Sequence, residues 1–80
     1  MHRDLQSPKY DILRRRIVEA RKSLNMSQTQ LAGRLGRTQT FVTDFERSQR
    51  RIDVVDFIIL AQSVNLDPLV LLSEMMRANK

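Results

Sequence analysis

Residues 27 to 47 read S-Q-T-Q-L-A-G-R-L-G-R-T-Q-T-F-V-T-D-F-E-R. Two short helical patterns lie in this stretch, with Gly36 between them. Ser27 is placed to cap the first, and Gln30 stands three residues on, at the capping-box spacing. Leu31, Ala32 and Leu35 then share one helical face. Gly36 follows where a helix most easily ends in the left-handed conformation. Thr38 is placed to cap the second helix, and Val42 and Phe45 give it a buried side. Gln39, Thr40, Thr43, Asp44 and Arg47 remain outside. That outward set has few apolar atoms to bury and many hydrogen-bonding groups to present.

A short polar helix behind a tight glycine turn is the build of a recognition helix. Ala32 falls where the two helices cross closely, and a larger side chain would push them apart. Val42 falls in the angle between them. The spacing L-A-x-x-L-G-x-x-x-x-x-V-x-x-F is specific because six positions must agree at once. An ordinary hairpin in a helical bundle is the plainer reading, but such a hairpin seldom leaves its second helix so polar.

On these residues the chain resembles the Cro/CI-type helix-turn-helix proteins, the XRE family. The run Q-T-F-V-T-D-F-E-R-S-Q-R-R-I-D-V-V-D-F is similar to one group of small bacterial members, and the likeness extends over about residues 13 to 72. The resemblance implies an all-α, five-helix, phage-repressor-like DNA-binding domain. One position departs from the pattern: the family usually has Gly after the recognition helix, and here Ser48 follows Arg47. The left-handed exit then falls on Arg47 or Ser48 at some strain, or the helix runs on.

Composition sets further bounds. Eighty residues are the length of one domain. A chain this small buries only about 60% of its unfolded surface, so its own stability is modest. It has no cysteine, and its one histidine, His2, has no companions for a metal site. No metal or cofactor is expected. No apolar run approaches the roughly 18 residues of a membrane span, and no signal-peptide pattern opens the chain. A cytoplasmic protein with no membrane partner is the expectation. The net charge of +5 is uneven. Residues 1 to 52 carry twelve Lys and Arg against five Asp and Glu, whereas residues 53 to 80 carry two against four. A positive half containing the helix-turn-helix suits a polyanionic partner. A solvated basic surface that aids solubility is the plainer alternative.

Residues 1 to 8 form an arm before a domain of residues 9 to 80. Within that arm only residues 1 to 6 read as flexible, because Ser7-Pro8 gives a cap and a first helical position. The first helix runs to about Leu24, with Leu13, Ile17, Ala20 and Leu24 inward and Tyr10 at its entry. Asn25 suits a left-handed exit. This basic amphipathic helix could lie on an anionic membrane, but its apolar stripe is better used by a core. Ile52 tucks into the core behind the loop at residues 48 to 52. Asp53 caps a fourth helix that carries Val54, Phe57, Ile58, Ala61 and Val64 inward. Asp67-Pro68 repeats the cap-plus-proline start for a fifth. That helix is apolar at six of eight positions, more than one face can hold. Leu66, Val70 and Leu71 fill the core, and Leu69, Leu72 and Met76 form a dimer interface. A wide core contact with stray exposed residues is the alternative.

No nucleophile–base pair, phosphate-cradling glycine loop or metal-ligand cluster appears, so no enzyme activity is expected. The resemblance implies a sequence-specific DNA-binding regulator, a repressor or autoregulator working as a homodimer on an inverted-repeat operator. By the same resemblance Arg21 pairs with Glu46 and orients the recognition helix, a contact worth only ~0–1 kcal/mol on a surface. Gln28, Arg37, Thr38, Arg50 and Arg51 would contact DNA phosphates. Gln39, Thr40, Thr43 and Asp44 would face base edges. Phe41 either packs toward the following loop or touches a thymine methyl. Two rival functions stand beside this one. In the first the chain is an antitoxin that binds operator DNA and a toxin protein. In the second it is a protein-interaction module without DNA binding, against which the basic half and the uncluttered Gln39-Thr40 tip argue.

Overall fold

Each helix junction in this chain ends one helix on a left-handed residue and starts the next on a side-chain cap. The computed structural model describes residues 7–78, so the expected arm at residues 1–6 lies outside the described residues. Five α-helices and no strand occur among them: α1 (Pro8–Ser23), α2 (Gln28–Leu35), α3 (Gln39–Glu46), α4 (Val54–Ser63) and α5 (Pro68–Met76). The left-handed residues are Asn25, Gly36, Ser48 and Asn65, with φ of 54°, 67°, 65° and 62°. After each, the next N–H reaches back to a carbonyl five residues earlier. These bonds are Met26 to Arg21 (3.1 Å), Arg37 to Ala32 (3.0 Å), Gln49 to Asp44 (2.8 Å) and Leu66 to Ala61 (2.8 Å). That is the 6→1 bond of a Schellman turn. Ser27, Thr38 and Asp67 each cap a helix two residues beyond the left-handed one. The third junction is longer, because Asp53 does not cap α4 until residues 49–52 have passed.

Ser48 resolves the departure noted in the sequence. It adopts the left-handed conformation that glycine would normally take there, while Arg47 stays at φ −91°. A side chain in this conformation costs roughly 1–2 kcal/mol. The turn is kept at that cost, and the following loop is placed as a glycine would place it.

The core gathers one stripe from every helix. Leu13 and Ile17 come from α1, Leu31 and Ala32 from α2, and Phe41, Val42 and Phe45 from α3. Phe57, Leu60, Ala61 and Val64 come from the α4 segment, and Leu71 comes from α5. Ile52 packs against this cluster as expected, and its N–H donates to the Tyr10 hydroxyl at 3.1 Å. On α5, Leu69, Leu72 and Met76 are exposed, as the periodicity suggests.

Four inward assignments are corrected. Leu24 is 41% exposed because it is the residue that closes α1, and Met26 takes its place in the core. Val54 and Ile58 are 70% and 40% exposed, while Leu60 is fully buried. The α4 sequence is apolar on nearly every side, so periodicity does not fix its rotation. Packing instead chooses the row Phe57, Leu60, Ala61 and Val64. Val70 is also exposed, since α5 points Leu71 and Met75 at the core. No single helix among the described residues is long and apolar enough to cross a membrane.

Candidate nucleic-acid interface

The α2–turn–α3 unit is set by short-range chemistry on both sides of Gly36. The Ser27 hydroxyl accepts from the Gln30 N–H (3.0 Å), and the Gln30 side chain accepts from the Ser27 N–H (2.8 Å). This is the reciprocal capping box. Thr38 accepts from the Phe41 N–H at 3.3 Å and so starts α3. Val42 and Phe45 then lock α3 into the core, which leaves its first residues, Gln39 and Thr40, exposed at the leading tip. Thr43 and Asp44, one turn on, are half-buried.

Behind α3 lies a polar network. The Arg21 guanidinium donates to both Glu46 oxygens, at 2.7 and 2.9 Å, and to the Met26 carbonyl at 2.8 Å. The Arg21 and Glu46 side chains are only 10% and 9% exposed. Arg21 is thus part of the inward face of α1, one turn after Ile17, and the surface value expected for the pair does not apply. A mostly buried, two-pronged ion pair holds position strongly. Removing one partner strands the other and costs about 3–5 kcal/mol.

Gln28 belongs to this network. Its amide nitrogen donates to Glu46 at 2.8 Å, and its amide oxygen accepts from the Thr43 hydroxyl at 2.8 Å. Glu46, Gln28 and Thr43 thereby tie the start of α2 to the middle of α3. At the tip, the Thr29 hydroxyl donates to the Gln39 amide oxygen at 3.1 Å. Thr29 and Gln30 carry contacts that the outward pattern of α3 alone does not suggest, although the capping spacing marks Gln30.

The basic residues fall around the tip. Arg37, in the turn, places its Nη2 3.0 and 3.1 Å from the two Asp56 oxygens of α4. Its guanidinium and that of Arg50 both lie over the Phe41 ring, at 4.5 and 4.7 Å from the centroid. Phe41 is buried, so of its two sequence readings the packed one holds. Arg50 and Arg51 are exposed in the long loop beyond Ser48. Gly36, Arg37, Thr38, Thr40, Phe41 and Arg50 line an open hollow of about 320 Å³ beside the tip. The structure therefore brings Gln39, Thr40, Arg37, Thr38 and Arg50 together. Gln28 and Thr43 are joined to each other instead of standing free.

The comparisons with known proteins fit this geometry. Residues 17–71 match the family model described as helix-turn-helix. Among solved structures the chain is similar to an XRE-family like protein from Pseudomonas syringae pv. tomato str. DC3000. That match has 38% identity and a TM-score of 0.78, over 85% of this chain and 83% of the other. It is also similar to the restriction-modification controller protein C.AhdI from Aeromonas hydrophila. Here the identity is 30% and the TM-score 0.68, over 75% of this chain and 91% of the other. No curated protein sequence matches. The chain belongs to the XRE-type helix-turn-helix family and has that family's all-α, five-helix fold. Membership makes it a DNA-binding transcriptional regulator.

Proposed function

We propose that the protein is an operator-specific repressor or autoregulator that reads an inverted repeat as a two-fold homodimer. The exposed Gln39-Thr40 tip, flanked by the guanidiniums of Arg37 and Arg50, is the observation that carries the reading. Gln39 has the amide geometry to pair bidentately with adenine, and its oxygen keeps a lone pair after accepting from Thr29. Thr40 adds a methyl and a hydroxyl at the same edge. Asp44 follows one turn later and can accept from cytosine N4. Thr43 reaches this surface with its hydroxyl already shared with Gln28, so its share in base reading is the smaller. Arg37, Thr38, Arg50 and Arg51 supply phosphate contacts, which set affinity and register while the tip sets choice. Gln28 acts from behind, through Glu46 and Thr43, unless DNA draws its amide out to a phosphate.

The dimer reading rests on the opposite face. Leu69, Leu72 and Met76 of α5 are exposed, and so are Val54, Val55, Ile58 and Ile59 of α4. An apolar groove lined in part by Val54, Ile58, Leu69 and Leu72 joins the two helices. A helix that is apolar all round belongs in an interior. For α4 a second copy supplies that interior, and two-fold symmetry then sets two recognition helices on successive major grooves about 34 Å apart. A toxin protein seated on the same face is the rival occupant.

Selection of binding sites from a random duplex library tests the function. Enrichment of an inverted repeat, with half-site centres about one helical turn apart, is expected. Recovery of no common sequence would contradict the regulator reading.

A further inference from the structure

The Phe41 ring is only 4% exposed although it lies in the first turn of a surface helix. Part of its cover is the core, and part is charge, since the guanidinium carbons of Arg37 and Arg50 stand 4.5 and 4.7 Å from its centroid. Two like charges repel, and a guanidinium with no partner swings freely in water. The negative π-cloud of the ring attracts both and holds each within 4.7 Å of one centroid. The two arginines come from separate segments, the turn after Gly36 and the loop after Ser48. Asp56 of α4 steadies Arg37 from a third direction, with both oxygens on the one nitrogen Nη2. A guanidinium has five N–H donors, so these bonds leave Nε and Nη1 with donors for another acceptor.

We propose that Phe41 is a positioning residue that stations Arg37 and Arg50 as one paired grip on the DNA backbone, with Asp56 bracing Arg37. The proposal rests on the DNA-binding reading above and deepens it. The grip's ligand is a phosphodiester, because a planar guanidinium fork matches phosphate oxygens and two forks together match a doubly flanked anion. A side chain already stacked in place loses less freedom on binding than one that must be gathered from solvent. The ring is only 4% exposed, which leaves little of it for a base to touch. It acts on affinity through the arginines and carries no sequence choice.

The test uses the full chain with Phe41→Leu, which keeps apolar bulk and removes the ring. Binding is titrated on a random-sequence duplex and on the selected site at several salt concentrations. The expected result is an equal loss on both duplexes, about three- to tenfold, with the preference between them unchanged. The slope of log affinity against log salt flattens by roughly one to two units, at about 0.9 for each phosphate that is no longer neutralised. Arg50→Ala then has less than half its usual effect when added to Phe41→Leu. Should Phe41→Leu fail to fold, the exposed pair Arg37→Ala and Arg50→Ala replaces it in a double-mutant cycle. A shared station predicts a double loss differing from the product of the single losses by more than twofold, whereas independent arginines multiply. Parental affinity and slope in Phe41→Leu, or simple multiplication in the cycle, overturns the proposal while the DNA-binding reading stands. A parent protein with no salt-dependent affinity for the random duplex overturns both.

Discussion

The two ends of this small domain are finished to different degrees. At the α2–α3 end, polar groups meet within the monomer. Arg21 and Glu46 are paired, Gln28 bridges Glu46 to Thr43, and Thr29 holds Gln39. At the α4–α5 end, Val54, Val55, Ile58, Leu69, Val70 and Met76 face solvent. The first end is tied together before any ligand arrives, because the Arg21, Gln28 and Thr43 bonds are short and partly shielded. The second is the surface of a core that stops halfway. One chain thus carries a pre-set reading head and an unsatisfied apolar face. The difference teaches that the monomer is sufficient for orienting α3 and insufficient for burying α4.

The largest expected effect breaks the apolar end. Leu69→Glu puts a carboxylate on a residue that is 76% exposed in the monomer, so the fold should survive. Affinity for the inverted repeat should fall by roughly 10²-fold or more, since linked half-sites gain about that much over single ones. Affinity for an isolated half-site should stay at the parental value. Competition binding on the two duplexes measures both quantities. A uniform loss on both would mean that Leu69 supports the fold instead of the assembly.

The next effect breaks the polar end. Glu46→Gln leaves the Arg21 charge mostly buried without its counter-ion and should lower unfolding free energy by about 3 kcal/mol. Arg21→Met with Glu46→Leu should recover much of that stability, because an apolar pair fills the same space. Thermal melts of the three proteins decide it, with ~4–8 °C per kcal/mol expected for a domain of this size. A loss below about 1 kcal/mol for Glu46→Gln would place the pair among ordinary surface bridges.

Two smaller changes sharpen the comparison. Gln39→Ala should weaken the selected site by about 1–3 kcal/mol and relax preference at one base pair, without altering stability. Selected-site sequencing of variant and parent compares the preferences, and identical profiles would remove Gln39 from base reading. Ser48→Gly relieves the left-handed side chain behind α3 and should stabilise by about 0.5–1 kcal/mol. A denaturant midpoint that does not rise would show that the Ser48 side chain offsets its strain.

Much of the fold is legible in the sequence, for local reasons. Caps and left-handed exits are written in single residues: Ser27, Gly36, Thr38, Asp53 and Asp67 each announce a helix boundary within one or two positions. Ser48 makes no such announcement, since a serine does not advertise a left-handed turn. The rotation of α4 is also hidden. In V-V-D-F-I-I-L-A-Q-S nearly every position suits an interior, and tertiary packing selects Leu60 over Val54 and Ile58. At the candidate site the outward residues of α3 follow from the amphipathic pattern. Their partners do not, because Gln28 meeting Thr43 and Arg37 meeting Asp56 depend on distances between helices. The same blindness hides the extent of the apolar face. The α5 residues stand out as a surplus, but periodicity alone credits Val54 and Ile58 of α4 to the core.

Sedimentation velocity of the parent protein at micromolar concentration, alone and with one selected duplex, tests the central claim most directly. The apolar face is held to join two copies, so the free protein should sediment at twice its 9.4 kDa mass and bind the duplex as two chains. A single species of 9.4 kDa that binds the inverted repeat one chain at a time would contradict the account.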